Sequence, residues 1–292
     1  MKPISEILKS GRSFSIEIYP PKTEAGVKTL HERLRSFARY NPDFISVTYG
    51  AGGMADRMPE RTRSLCSFVQ TDTKIPAMAH LTSRNHTMAE IRDILKTLRA
   101  AGVKNLMALR GDPPAAGAAT TTSPDFQNAT DLIALAAKEF DFCIGCAGYP
   151  EGHIEAASVE QDWDYLRMKL DLGAHFIASQ FFLDNTYFLR FRDQLVRRRI
   201  RAPLLAGILP ISNYSQVTKF SLMCGCTIPA KVMKGLYGKS DADQEKFGLD
   251  HAAHQIEELA REGVDGIHLY ALNKDSAVER LAPVVQKHMS RN

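Results

Sequence analysis

Apolar and polar positions alternate between two periods along this chain. Eight short apolar runs have strand length: FSIEIYP, DFISVTYG, IPAMAHLT, VKNLMALRG, FCIGCAGYP, AHFIASQFF, PLLAGILPI and DGIHLYALN. Between them, apolar residues recur at spacings of three and four, which predicts helices. These cover roughly 26–39, 59–70, 88–101, 126–139, 158–172, 186–199 and 214–224. A further segment, 244–262, extends the seventh connection, and 276–288 closes the chain. Glycine follows several of these helices, at Gly102, Gly173 and Gly263, where a C-cap needs it.

Eight strand–helix units predict a (β/α)8 TIM barrel, with an open doubly wound sheet as the alternative. The repeated pattern predicts one catalytic domain over residues 1–292 rather than two. Two additions are expected: a short N-terminal extension, 1–12, and an extra helical insertion before the last strand, around 225–245. Residues 112–125, DPPAAGAATTTSPD, read as a small-residue loop.

Composition narrows the function classes. The 292 residues are 44% hydrophobic and 24% charged, ordinary for a globular chain with a large core. The net charge of +4 demands no polyanionic partner. The run Arg197–Arg199 reads as a solvated helix end, so no nucleic-acid role is expected. No apolar run reaches the roughly 18 residues of a membrane span. The opening MKPISEILKSGRSF lacks the apolar core of a signal peptide, so a cytoplasmic location is expected. Five cysteines, an odd number, do not suggest a disulfide framework.

On the barrel reading, the strand ends carry Glu17, Thr48-Tyr49, His80, Arg110-Gly111-Asp112, Tyr149, Gln180, Leu209 and Asn273-Lys274. Polar groups at nearly every strand end point to a site. Glu17 lies within an otherwise apolar strand. Burial there is expected to raise its pKa and make a carboxylic acid available near neutral pH. The competing reading is a carboxylate paired with Arg or Lys inside the barrel. Asp112 beside Arg110 also reads as a structural ion pair, His80 as a core histidine, and Phe220 as ordinary helix packing.

Three motifs carry less than they promise. Gly50-Ala51-Gly52-Gly53-Met54-Ala55 formally matches a dinucleotide fingerprint, but the following strand ends in His80-Leu81-Thr82 and supplies no acidic ribose partner. The glycines read better as a loop that lets backbone approach a flat ligand. Cys143 and Cys146 lie three apart in a strand and so face opposite sides, while Cys224 and Cys226 add no tetrahedral set. His251 and His254 share a helix face without an evident third ligand. No metal site is expected.

The motifs SIEIYPPKT, FISVTYGAGG, AHLT, ALRGDPP, GYPEGH, SQFFLDN, GILPISN and HLYALNK, in this order, resemble the methylenetetrahydrofolate reductase family from about Ser13 to Lys274. The resemblance is to the bacterial-type, barrel-only form. It implies a barrel that binds FAD without a Rossmann domain, is reduced by NADH or NADPH, and then passes hydride to 5,10-methylenetetrahydrofolate, giving 5-methyltetrahydrofolate in a ping-pong scheme. It further implies a homo-oligomer whose partners are small molecules, folate and a nicotinamide nucleotide. Without a C-terminal regulatory domain, inhibition by S-adenosylmethionine is not expected.

By matched position the resemblance makes Glu17 the general acid that helps open the folate's methylene bridge, and Asp112 the residue that faces the reacting rings. It assigns flavin contacts to Thr48, Tyr49, Ala51, His80, Arg110, Gly111, Asp112, Ala129, Tyr149, His153, Ala156, Asp162 and Lys169. It places Tyr165 and Met168 among the cofactor-binding residues as well, where some relatives have an amide and an Arg. It assigns substrate contacts to Thr48, Asp112, Gln180, Gln216, Phe220 and Lys274, the last replacing an Arg and giving up bidentate geometry. Two other readings compete: a related flavin barrel such as proline dehydrogenase, and a non-catalytic binding subunit.

Overall fold

Strand residues that alternate between two apolar environments need both faces covered, and closing the sheet on itself is one way to do that. The computed structural model describes residues 1–49, 59–111 and 125–289. Its eight strands are β1 Ser13–Ile18, β2 Phe44–Val47, β3 Ala77–Thr82, β4 Asn105–Leu109, β5 Cys143–Gly148, β6 Phe176–Ser179, β7 Leu204–Ile208 and β8 Gly266–Tyr270. All neighbours pair in parallel, and β8 closes back on β1 with Ser15 opposite His268. The TIM barrel is thus observed, and the open sheet is not.

The helices are α1 Ile4–Lys9, α2 Glu24–Ala38, α3 Pro59–Phe68, α4 Met88–Ala100, α5 Ala129–Glu139, α6 Val159–Asp171, α7 Asn185–Arg197, α8 Tyr214–Cys224, α9 Ala230–Leu236, α10 Asp241–Arg261 and α11 Asp275–His288. A π-helical turn, Val69–Thr73, extends α3. Local chemistry explains their ends. Thr87 and Glu90 form a reciprocal capping box at the start of α4. Gly102, Gly173 and Gly263 follow helices with positive φ, as the sequence predicts. The additions also fall where expected. Helix α1 lies within 1–12, and α9 with the start of α10 fills the segment between β7 and β8. Among the described residues, no helix is long and apolar enough to cross a membrane.

Alternation along each strand separates two cores. Outward residues such as Ile16, Ile45, Ala79, Leu106, Ile144, Ile177, Ala206 and Ile267 pack under the helices. Inward residues Phe44, Met78, Met107, Cys143, Phe176 and Leu205 fill the N-terminal end of the barrel. Helix α1 plugs that end. Ile4 is fully buried there, its N–H donates to Asn105 Oδ1 at 2.8 Å, and the Ser5 N–H donates to Cys143 Sγ at 3.2 Å. Cys143 therefore faces the interior while Cys146 packs under the helices, the divergence that the strand period requires.

Candidate active site

Two residues further along the same inward register, the barrel changes character. Ser15 and Glu17 on β1, Ser46 on β2, His80 on β3, and His268 and Tyr270 on β8 meet near the C-terminal end. Glu17 is the hub. His268 Nε2 and His80 Nε2 each lie 3.4 Å from Glu17 Oε2. Its side chain is only 16% exposed. Behind it, His268 Nδ1 lies 2.7 Å from Ser15 Oγ, and Ser46 Oγ lies 3.4 Å from His268 Nε2. The His268 ring stacks over Phe44 at 6.1 Å, so the polar cluster sits directly on the apolar plug.

This arrangement corrects the expected pKa of Glu17. Burial is the largest single influence and does push it up. The hydrogen bond from His268, positive charge on His80 and His268, and a bond from Ser46 together outweigh it and hold the carboxyl below its ordinary value. The partners are histidines, neither the Arg nor the Lys of the competing reading. His80 is pushed the other way: burial lowers its pKa, and the Glu17 charge only partly opposes this. The Tyr270 hydroxyl, kept neutral by burial, donates to the Ser179 carbonyl at 2.7 Å. Its ring lies so close to β7 that a Cβ at Gly207 would stand 2.7 Å from it.

A second group lines the mouth beyond β4, β5 and α6. Tyr149 and His153 meet edge to face at 4.6 Å, and Lys169 Nζ stands 6.0 Å from the Tyr149 ring centre while donating to the Ala147 carbonyl. Asp162 is buried; desolvation raises its pKa despite nearby Lys169 and His153, and it accepts the His153 N–H. Ala156 closes the intervening turn by donating to the His153 carbonyl. Arg110 ends β4 in an ion pair with Glu155, so an anion drawn to it would share that guanidinium. Gly111 takes φ +91, beside Thr82. Tyr49 lies 3.1 Å from His86 Nε2 through its hydroxyl, and Ala129 begins α5.

Other predicted residues stand apart from these groups or are already engaged. Gln180 Oε1 accepts the Phe181 N–H, and Gln216 Oε1 accepts the Ser212 N–H. Lys274 Nζ donates to Ser212 Oγ at 2.8 Å and lies 3.8 Å from Glu245. Phe220 packs half-buried against the cluster of Phe181, Leu209 and Val217, and Leu209 itself is core. Asn273 ties β8 to Tyr19 by hydrogen bonds in both directions. Tyr165 and Met168 are exposed on α6. Asp112, Ala51 and most of the 112–125 loop lie outside the described residues, as does the glycine-rich stretch beginning at Gly50.

The site has room for a ligand's polar atoms. Thr48 Oγ1 is buried without a hydrogen-bond partner at the top of β2, whereas His80 Nε2, which makes no hydrogen bond, faces Glu17 Oε2 at 3.4 Å. A buried group without a partner is rare unless something satisfies it. With Tyr149, His153 and the Lys169 charge across the mouth, Thr48 and His80 fit a flat, polar, phosphate-bearing cofactor such as a flavin nucleotide. Among the described residues no group of three or more His, Cys, Asp or Glu is arranged to hold a metal ion.

Residues missed in the sequence are His268, Ser15, Ser46 and Tyr270. The signal was present in DGIHLYALN, where His and Tyr occupy alternate positions against Ile and Leu.

Comparison with known proteins agrees with this geometry. The family model for methylenetetrahydrofolate reductase matches residues 4–285. The chain is 37% identical over 263 residues to 5,10-methylenetetrahydrofolate reductase of Escherichia coli K12, covering 89% of this chain and 86% of that one. It is 34% identical over 289 residues to methylenetetrahydrofolate reductase (NADH) 1 of Arabidopsis thaliana, covering 94% of this chain but 48% of the plant protein, about half its length. A solved structure from Clostridium thermocellum, described as an uncharacterized protein that binds two copies of 5-methyl-5,6,7,8-tetrahydrofolic acid, superposes with a TM-score of 0.68 over 98% of each chain at 14% identity, a likeness of fold. Family model and relatives together place this chain in the methylenetetrahydrofolate reductase family.

Proposed function

We propose that the protein reduces 5,10-methylenetetrahydrofolate to 5-methyltetrahydrofolate, using FAD and NADH or NADPH in a ping-pong scheme. Family membership supports the substrate class. The observation that carries the chemistry is Glu17, a largely buried carboxyl inside the barrel with two imidazole nitrogens each 3.4 Å from its Oε2.

FAD, when bound, would supply the hydride-transfer chemistry that side chains lack. The chain does the rest. Glu17 delivers a proton to the folate nitrogen as the methylene bridge opens, which makes the one-carbon unit electrophilic. The orphaned Thr48 hydroxyl, and His80 on the neighbouring strand, would hold the cofactor's polar edge. Lys169, with Arg110 shared from Glu155, would supply positive charge to hold the cofactor's pyrophosphate. Gln180 and Phe220 serve nicotinamide and folate in turn, and Gln216 and Lys274 hold the folate. Asp112, next in chain to Gly111, faces the reacting rings on this reading.

The test is direct. Purified protein should be yellow, release FAD on denaturation, bleach anaerobically with NADH or NADPH, and recolour with methylenetetrahydrofolate. A colourless protein that takes up no FAD would refute the proposal. Bleaching by proline instead would favour the amine-oxidising relative, and a flavin that neither donor reduces would favour a binding subunit.

A further inference from the structure

Four helices close with the same pair of hydrogen bonds, and one of them uses an unusual residue to do it. After α4, Gly102 N–H donates to the Arg99 carbonyl and Val103 N–H to Leu98. After α6 the pairs are Gly173 to Leu170 and Ala174 to Lys169, and after α10 they are Gly263 to Ala260 and Val264 to Leu259. The turn needs a left-handed residue, which glycine supplies without steric cost. Helix α7 ends with the same pattern, Arg199 to Val196 and Ile200 to Leu195, but its left-handed residue is an arginine with φ +58. A long charged side chain thus stands where the backbone favours none.

The surroundings of Arg199 give that side chain a use. It lines a cavity of about 390 Å³ together with Arg167 and Asp171 from α6, His175, Ile200 and Arg201. His175 directly precedes β6 and Arg201 lies just before β7, so the cavity sits at the N-terminal end of the barrel, away from the Glu17 cluster. The Arg167 guanidinium donates to the Arg198 carbonyl, which carries it from α6 to the end of α7. Among the described residues, Arg199 and Arg201 have no ion-pair or side-chain hydrogen-bond partner. No ion pair joins Asp171 to any of the three arginines, so the wall carries three positive charges against one negative. His175 Nδ1 accepts the Ile144 N–H at 3.1 Å, which leaves the ring hydrogen on Nε2 as a neutral donor. The run Arg197–Arg199 is therefore divided in its roles. Arg197 is exposed, Arg198 pairs with Asp164, and Arg199 borders the cavity.

We propose that this cavity is a second binding site, for a small phosphorylated molecule whose phosphate is held by Arg167, Arg199 and Arg201. Guanidinium groups present planar forks of donors that match phosphate oxygens, and a wall with excess positive charge favours an anion of two or more charges. The volume falls within the range of small-molecule sites, about 300–1,000 Å³. The site stands apart from the proposed folate chemistry, so it holds or fails independently of that reading.

Calorimetric titration of the FAD-loaded protein tests it, with inorganic phosphate, pyrophosphate and citrate as probes at low salt. Pyrophosphate should bind most tightly, and phosphate should compete with it. Arg199→Gly is the decisive variant because glycine suits the left-handed turn. Its pyrophosphate affinity should fall about 10-fold, as losing one charge-assisted hydrogen-bonding partner commonly costs, while its urea midpoint stays level or rises. Arg201→Gln should weaken binding in the same direction, and Arg197→Gln, in the same run but outside the cavity, should leave it unchanged. Pyrophosphate affinity that is absent in wild type, or unaltered in both Arg199→Gly and Arg201→Gln, overturns the proposal. So does citrate binding as tightly as pyrophosphate, which would show attraction of charge without recognition of phosphate. A lower urea midpoint in Arg199→Gly with binding intact would show that the arginine serves the fold, and overturns it as well.

Discussion

The two ends of the barrel interior are built by the same strands, one register step apart, and they do opposite things. At the N-terminal end, Phe44, Met78, Met107, Cys143, Phe176 and Leu205 close over Ile4 into a dry plug. At the C-terminal end, Ser46 follows Phe44 and His80 follows Met78 at the next inward positions, and the interior becomes ionisable. Only the side chains change; strand pairing runs unbroken through both layers. The plug makes the polar layer affordable. It supplies a rigid floor, with Phe44 under the His268 ring, so that a buried carboxyl and two imidazoles keep one geometry. Burial there costs stability, and the hydrogen bonds among Ser15, His268, Glu17 and Ser46 offset part of it.

Substitutions at the two ends should separate function from stability. Glu17→Gln should lower the folate half-reaction about 10²- to 10⁴-fold, leaving flavin reduction near wild type in anaerobic stopped-flow. Equal losses in both half-reactions would show that the upper layer serves the cofactor rather than the folate proton. Phe176→Ala in the plug should do the reverse. It removes a fully buried ring that meets Phe44 edge-on at 6.4 Å. The expected cost is about 3–5 kcal/mol in urea unfolding, with the pH dependence of turnover unchanged in the surviving folded protein.

How much of this was legible in the sequence follows from the same comparison. All eight strands and the seven connecting helices stood in the apolar pattern, because strand and helix periods are local properties. The capping of α4 by Thr87 and Glu90 was local too. Glu17 stood out because a carboxyl interrupts SIEIYP. Its partners did not, because which side chain faces it depends on register. Ser15 lies opposite His268 only once β8 closes on β1, across more than 250 residues of chain. Burial alone predicted a raised pKa; the two histidines reverse it. Leu209 likewise read as a strand-end site residue until the α8–α9 region packed over it. The expectations on Asp112 and Ala51 rest on the resemblance, outside the described residues.

Gly207→Ala probes the seam between the layers. The added Cβ would stand 2.3 Å from the Ser179 carbonyl and 2.7 Å from the Tyr270 ring. Because the carbonyl belongs to the backbone of β6, relief requires strand movement. The expected cost is about 1–3 kcal/mol in denaturant unfolding, together with weakened folate reduction as Tyr270 shifts against the Glu17 cluster. A variant as stable as wild type would mean that the seam is looser than the geometry implies.

The smallest effect sharpens the comparison most, because the two ends should fail at opposite pH. His80 has a folded pKa below 6.5, so as pH falls through 6.5 the unfolded chain gains a proton that the fold refuses. Glu17, with a folded pKa below 4.5, contributes stability that is present above 4.5 and lost as pH falls through its folded value. The upper layer therefore weakens on the acid side. In the plug the titratable group is Cys143, whose thiol is pushed above 9.0 chiefly by burial. As pH rises past 9.0 the unfolded thiol loses its proton while the folded one keeps it, so stability falls by at most about 1.4 kcal/mol per pH unit for one group. Cys66, Cys146 and Cys226 share the same direction, so the measurement is a difference. Cys143→Ala should flatten the alkaline limb of urea stability against wild type between pH 8 and roughly 10 and leave the acid limb alone. Glu17→Gln should flatten only the acid limb. A Cys143 variant that altered the acid limb would couple the two layers electrostatically, and the division between plug and site would then be one of packing alone.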